Sequence, residues 1–306
     1  MKKRQLGSSD LYLSELGLGC MSLGTDEQKA RAIVERAVEA GINYLDTADL
    51  YDLGKNEEIV GKVVKGMRDK VFIGTKVGNH FNVEDGSWFW DPSKAYIKEE
   101  IKESLRRLGL DYIDLYQLHG GTMEDPIGET ISAFEELKQE GLIREYGISS
   151  IRPNVIREYV KHSNIVSVMT QYSLFDRRPE EETLNLLKEN NIGVLARGPM
   201  AKGMLSHNAS SIVKEKGKDG YLSYTFKELS EMVGEIEKNA GESRPIEALA
   251  LQYILHHDSV TTAVFGASSV QQLEKNLQYM DAPELTDDQY ETLQSITKPI
   301  TYDKHR

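Results

Sequence analysis

Four ionisable side chains sit where apolar runs give out. In G-I-N-Y-L-D-T-A-D-L-Y (41–51), Tyr44 and Leu45 form the core of a short strand, Asp46 arrives at its end, and Tyr51 follows in the loop. The run K-V-F-I-G-T-K-V-G (70–78) ends at Lys76, and D-Y-I-D-L-Y-Q-L-H (111–119) ends at His119. Three successive strands thus deliver a carboxylate with a phenol, an ammonium and an imidazole to one sheet edge, the pattern of a parallel-sheet active site. A phenol, with an ordinary pKa near 10, is a poor acid at neutral pH. An ammonium beside it favours the phenolate, and a carboxylate keeps that ammonium charged and oriented. An imidazole on the next strand can hydrogen-bond both the phenol and a carbonyl oxygen, completing a pocket that gives a proton and stabilises an oxyanion. Taken singly, Asp46 reads as a turn residue, Lys76 as a strand-end charge, His119 as a satisfied core histidine and Tyr51 as a packing aromatic. Their joint arrival at three strand ends is what those plainer readings fail to explain.

The elements that must position these groups repeat. Residues 3–13 alternate around a G-S-S-D turn, which predicts a hairpin capping one end of a barrel. The glycine-punctuated run L-G-L-G-C-M-S-L-G (16–24) predicts a buried first strand, and the helix after it has Ala30, Ile33, Val34 and Ala37 on one face and closes at Gly41. Strands to Asp46, Lys76 and His119 are each followed by a helix, the one after Lys76 with Asp91 as N-cap and Pro92 in its first turn. Further strands are expected at 144–150, 166–172, 192–198 and 262–267. Eight strand-helix alternations predict an α/β fold, a (β/α)8 TIM barrel with an N-terminal β-hairpin cap, as a single domain spanning 1–306. Three connections are long: 78–90, with two Trp and two Phe, equally consistent with a pocket wall or a local packing cluster; 201–224, able to cover a cofactor or to move; and the tail after Leu285.

With 306 residues, 39% hydrophobic and 28% charged, the chain can bury a large core. A net charge of -12 argues against nucleic acid or an anionic membrane as partner, so an anionic cofactor needs a local patch. Cys20 is the only cysteine, which excludes an internal disulfide and a thiol-based zinc site. The start M-K-K-R-Q-L-G-S-S-D lacks an apolar core and no apolar run reaches ~20 residues, so a cytoplasmic location is expected.

These motifs, from R-Q-L-G-S-S-D-L-Y-L-S-E-L-G-L-G near the N-terminus to G-A-S-S-V-Q-Q-L-E-K-N at 266–276, resemble the aldo-keto reductases, in particular their bacterial, channel-β-subunit-like or general-stress-like branch. The family's Asp, Tyr, Lys and His tetrad matches Asp46, Tyr51, Lys76 and His119. The resemblance implies reversible, NADPH-dependent reduction of a small aldehyde or ketone, with Tyr51 the proton donor and no metal. It places the nicotinamide carboxamide at Ser149, Ser150 and Gln171, and the pyrophosphate along Gly198, Pro199, Met200, Ala201, Lys202 and Gly203. Gly266, Ser268, Gln272 and Asn276 fall at the adenosine end, where helix N-terminal amides accept phosphate. Four departures stand out. Ser150 replaces the usual Asn, and Arg197 replaces an aromatic that stacks on the nicotinamide, although a planar guanidinium can lie on a ring face or bond phosphate. Gln272 replaces an arginine found in some members, so NADP(H) is expected from the family more than from the residues, with NAD(H) open. Gly120, Gly121 and Thr122 follow His119 where Pro-Asp is usual. Two other readings compete: a lyase or aldolase using Lys76 as a Schiff-base amine, which Asp46 disfavours, and a non-catalytic, redox-sensing NADP(H)-binding partner protein. The identity of the substrate and the oligomeric state are not written in the sequence.

Overall fold

The computed structural model describes residues 1–241 and 244–306. Twelve strands are present among these: β1 (Lys3–Gln5), β2 (Tyr12–Ser14), β3 (Leu16–Gly19), β4 (Tyr44–Asp46), β5 (Phe72–Val77), β6 (Asn79–Phe81), β7 (Trp88–Trp90), β8 (Ile113–Leu118), β9 (Ile143–Ser149), β10 (Ser167–Gln171), β11 (Gly193–Arg197) and β12 (Val260–Gly266). β3, β4, β5 and β8 to β12 close into an eight-stranded parallel barrel in that order. These are the eight strands the sequence predicts, and the fold is a (β/α)8 barrel. The helices around it are α1 (Glu27–Glu39), α2 (Lys55–Val64), α3 (Lys94–Leu108), α4 (Ile127–Gln139), α5 (Pro153–His162), α6 (Thr183–Glu189), α7 (Ala209–Lys216), α8 (Phe226–Ala240), α9 (Ile246–Leu255), α10 (Val270–Leu277) and α11 (Asp287–Ile296). Among the described residues no helix is long and apolar enough to cross a membrane.

The barrel has one plugged end. β1 and β2 pair antiparallel, and their loop packs Leu6, Leu11 and Leu13 against Tyr44, Leu115, Met169, Leu195 and Val264, the inward residues of the strands. Gly193 has no side chain because Leu6 and the Gly7 backbone lie where its Cβ would be. The larger core fills the layer between the outward strand faces and the helices. Plugging the N-terminal end leaves the C-terminal strand ends as the open mouth, where Asp46, Lys76 and His119 emerge.

Several expectations are refined. The run 16–24 is strand only to Gly19, and Cys20–Leu23 winds into a 3-10 turn at the mouth. The connection 78–90 is the β6–β7 hairpin, with Asn79 paired to Trp90 and Trp88 and Trp90 at the mouth. Asp91 is not the cap of α3. Its carboxylate accepts from the Ser93 amide and faces His80 Nδ1 at 3.2 Å, while Ser93 Oγ accepts from the Tyr96 amide and caps the helix. The cap is Ser93, whose backbone is extended (ψ 146°), so Pro92 lies outside the helix and Asp91 is free to tie down the hairpin. The stretch 201–224 contains α7 and buries Met204, Leu205, Val213 and Tyr224, so it is packed onto the barrel.

Beneath the loop that carries Tyr51 lies a buried ionic cluster. Arg107 of α3 donates from Nε to Glu57 Oε2 at 2.7 Å and also pairs with Glu100, and Glu57 Oε1 accepts from Thr75 Oγ1 at 2.6 Å. Burial opposes the Arg107 charge, yet the two carboxylates outweigh it and hold the guanidinium above its ordinary value. Breaking such a group leaves uncompensated buried charge, so Arg107→Ala is expected to lower the unfolding free energy by about 3–5 kcal/mol. Removing the exposed Lys238–Glu235 pair is expected to cost less than about 1 kcal/mol. Urea unfolding of both variants checks the contrast, and equal losses would refute it.

Candidate active site

Lys76 sits on an inward position of β5 and is almost fully buried. Its Nζ donates to Asp46 Oδ2 at 2.6 Å, to the Thr47 carbonyl at 2.6 Å and to the Tyr51 hydroxyl at 3.5 Å. Burial works against the ammonium, but the charge of Asp46 and the contact with Tyr51 outweigh it, and the group is held above its ordinary value. A lysine so held stays protonated and is unsuited to attack as a free amine.

Asp46 is oriented from its other side by the Tyr44 hydroxyl, which donates to Oδ1 at 3.1 Å. Burial, then Asp46 itself, pushes the Tyr44 phenol well up, so it remains a donor. Tyr44 reaches across the barrel interior to Asp46 only because Gly74, the β5 residue paired with Asp46, has no side chain; a Cβ there would stand 2.2 Å from the Tyr44 oxygen.

Tyr51 begins a turn in which Asp52 (φ 49°), Leu53 (φ 53°) and Gly54 (φ 86°) are all left-handed. Two non-glycine residues in this region store strain, of order 1–3 kcal/mol each, and such strain persists only where the surroundings hold it. Arg107 supplies the hold, its Cδ lying 2.8 Å from where a Gly54 Cβ would be. The turn is tied further by Asn56, which accepts from Thr47 Oγ1 at 2.7 Å and donates to the Cys20 carbonyl at 2.9 Å.

His119 lies one residue past β8, its amide bonded to the Val77 carbonyl at 2.7 Å, and its ring meets that of Tyr51 edge-on at 5.9 Å. Burial, with the positive charges of Lys76 and Arg197, lowers it to about 3. The imidazole is therefore neutral at physiological pH, and its buried Nδ1 has no partner within the chain.

Two cavities meet here. One of about 810 Å³ is walled by Asp46, Tyr51, Lys76 and His119, by Trp88 and Trp90 of the hairpin, and by Ser149, Ser150, Arg152 and Arg197. The second, about 520 Å³, runs along Gly198, Pro199, Met200, Lys202 and Gly203 to α10, reaching Ser269 and Gln272 at its start and Lys275 and Asn276 in its last turn. They share Ser22, Gly198, Val264, Phe265 and Gly266 as walls, so they form one cleft from the tetrad to a helix N-terminus. Gly266 lies at their junction, where a Cβ would stand 2.1 Å from Ser22 Oγ.

The sequence-expected tetrad therefore converges, and most of the expected cofactor positions line the cleft. Two do not. Gln171 is enclosed, its Oε1 accepting from Arg197 Nη1 at 3.0 Å and its Nε2 donating to the Tyr221 hydroxyl at 3.0 Å. Ser268 turns its amide and hydroxyl to Gln272 Oε1, and Ser269 takes the wall position. The aromatic hairpin fills both of its anticipated roles: Trp88 and Trp90 line the larger cavity, and His80 stacks between Phe89 and Tyr96. Sequence reasoning misses Arg152 and Lys216, which reach the cleft from elements outside its motifs, and Lys275, which lies within the 266–276 motif as an ordinary helix lysine.

A sequence profile described as the Aldo/keto reductase family matches residues 15–298. The chain is 57% identical over 307 residues to "Uncharacterized oxidoreductase YqkF" of Bacillus subtilis (strain 168), covering 100% of both. It is 32% identical over 302 residues to the NADH-specific methylglyoxal reductase of Escherichia coli (strain K12), covering 90% of this chain and 93% of that one. The holo form of aldo-keto reductase AKR11C1 from Bacillus halodurans matches with a TM-score of 0.93 at 56% identity, covering 100% of this chain and 99% of that one.

The lowered value of His119 has a consequence for stability. Between about pH 6.5 and 3 the unfolded chain binds a proton at this residue that the folded chain refuses, so acid favours unfolding there. Above pH 6.5 both states are neutral and the effect vanishes. Relative to the parent, His119→Gln is expected to gain up to about 1.4 kcal/mol per pH unit as pH falls through this window. Urea midpoints from pH 7 to 4 measure it, and a pH-independent difference would contradict the assignment.

Proposed function

This chain belongs to the aldo/keto reductase family, and on that premise we propose that its barrel, spanning 1–306, is an NADPH-dependent reductase of small aldehydes and ketones in which Tyr51 is the general acid. The family makes it a nicotinamide-dependent oxidoreductase acting on carbonyls. The observation that carries the finer reading is the buried triad in which Lys76 holds Asp46 with one proton and turns another to the Tyr51 oxygen.

The cleft suits a nicotinamide dinucleotide. Its inner end offers Ser149, Ser150 and the Arg197 guanidinium for the carboxamide and ring, and its outer end offers Lys202, Lys216, Lys275 and the first amides of α10 for phosphates. When bound, the reduced cofactor supplies a hydride to the carbonyl carbon. Negative charge then grows on the carbonyl oxygen, which the Tyr51 O–H neutralises by giving its proton, completing the alcohol. The resulting phenolate faces the Lys76 ammonium and is reprotonated from solvent. Neutral His119 donates an N–H to the same carbonyl oxygen, and its resistance to protonation keeps a second positive charge from competing with Lys76.

The choice of NADPH over NADH rests on Lys216 and Lys275. Both line the outer cavity, and neither forms an ion pair with a carboxylate among the described residues. A 2'-phosphate adds close to two negative charges and so benefits from them more than a ribose hydroxyl does. The Escherichia coli relative is named as NADH-specific, so the family alone leaves this choice open.

Two outcomes test the reading. Tyr51→Phe is expected to bind NADPH as the parent does while carbonyl reduction, followed at 340 nm, falls roughly 10²- to 10⁴-fold. Comparable turnover by that variant would remove Tyr51 from the role. Binding measured by cofactor fluorescence is expected to favour NADPH over NADH, and Lys275→Ala to narrow the gap roughly tenfold, the worth of one charge-assisted hydrogen bond. An unaltered ratio would place the discrimination elsewhere.

A further inference from the structure

We propose that the carbonyl substrate carries a carboxylate, and that the residue which recognises it is Arg152. The inference rests on the reductase reading and specifies its substrate class.

Arg152 is the N-cap of α5, held from behind by its own amide bonding Ser150 Oγ at 3.2 Å and followed by Pro153 in the first turn. Its side chain lines the larger cavity opposite Trp88 and Trp90, where a substrate must lie beside the tetrad. Nη1 donates to the Gly121 carbonyl at 2.5 Å, which fixes the guanidinium two residues beyond His119. That contact engages one of five N–H donors. The side chain forms no ion pair with any carboxylate among the described residues. Of the two acids on the same loop, Glu124 is exposed and Asp125 accepts instead from the Thr122 amide, Thr122 Oγ1 and Trp90 Nε1.

A half-buried guanidinium in a concave wall, anchored by one neutral acceptor, lacks the compensation that buried cations normally find. In a chain of net charge -12, carboxylates for pairing were plentiful, and none is placed here. The free edge of a planar fork matches a carboxylate with two parallel hydrogen bonds, and a single guanidinium suits a singly charged group better than a phosphate. Arg197, the other unpaired cation of this cavity, is turned to Gln171 at the nicotinamide end. The short path from Arg152 through Gly121 to His119 calls for a short spacer between carboxylate and carbonyl.

The test compares matched substrates: 4-carboxybenzaldehyde with methyl 4-formylbenzoate, and 4-oxobutanoate with its methyl ester. In the parent protein the acid-to-ester ratio of kcat/KM is expected to exceed one and to shrink with added salt. Arg152→Gln should lower the ratio at least about tenfold and Arg152→Lys should restore part of it. If Arg152 merely braces the Gly121 loop, acid and ester fall together and the ratio holds, which overturns the proposal. A parent that prefers the esters overturns it equally. Binding without turnover is read by titrating benzoate against benzamide on the NADP+-loaded protein, using emission from its two tryptophans, Trp88 and Trp90. Tighter benzoate binding that Arg152→Gln abolishes supports the contact, and equal binding sinks it. Loss of all carbonyl reduction with benzoate selectivity intact would instead count against the reductase reading.

Discussion

A lysine ammonium has three protons, and this fold gives the one on Lys76 three acceptors: a carboxylate, a backbone carbonyl and a phenol. The arrangement is demanding because two opposite charges are buried almost completely, and burial repays itself only where the remaining lone pairs and protons are satisfied. Asp46 meets that condition through Tyr44, Tyr44 through the missing side chain of Gly74, and the Thr47 carbonyl through the turn that Asn56 ties down. The contacts to Asp46 and Thr47 are short, at 2.6 Å, and the one to Tyr51 is the long one at 3.5 Å. The donor with slack is therefore the one aimed at the group whose charge would change.

The same logic separates the two barrel ends. At the plugged end, leucines from the hairpin fill the interior against apolar strand residues and the ring of Tyr44. At the open end, the backbone after Tyr51 runs through successive left-handed residues, strain that an unconstrained loop would relax. Arg107 and Glu57 underlie that turn with charges which cannot move to water without leaving partners unpaired. Burial and the nearby carboxylates of Glu100 and Glu57 push Asp49, in the same loop, well above its ordinary value. A costly foundation beneath a strained turn is a way to fix a phenol to within tenths of an ångström.

Strand ends, the plugging hairpin and the tetrad were legible in the sequence because each is written locally, as an apolar run interrupted by one ionisable residue. What was not legible depends on meetings across the chain. Asp91 looks like a helix cap until His80 is known to face it, and Gln171 looks like an available amide until Tyr221 folds down on it. The segment 78–90 reads as a loop because three-residue strands carry too little periodicity to declare themselves. Arg152 and Lys275 are ordinary surface-type residues in sequence, and only closure of the barrel makes them cleft walls.

Charge distribution ties these threads together. The chain is strongly acidic, yet the cleft is walled by Arg152, Arg197, Lys202, Lys216 and Lys275, none of which is paired with a carboxylate among the described residues. A field of this shape lowers the cost of bringing an anion into the cleft while the surrounding surface repels it, which concentrates charged ligands at one place. The kind of cation also changes along the groove. Lysines, compact and mobile, occupy the half next to the α10 N-terminus, where a tetrahedral, multiply charged phosphate gains from several point charges at once. Arginines occupy the half beside the tetrad, where a planar fork can lie against a ring or grip a carboxylate edge. The division follows from the physics of the two side chains, and it makes the two ends of the cleft chemically distinct, one suited to phosphate and the other to planar groups.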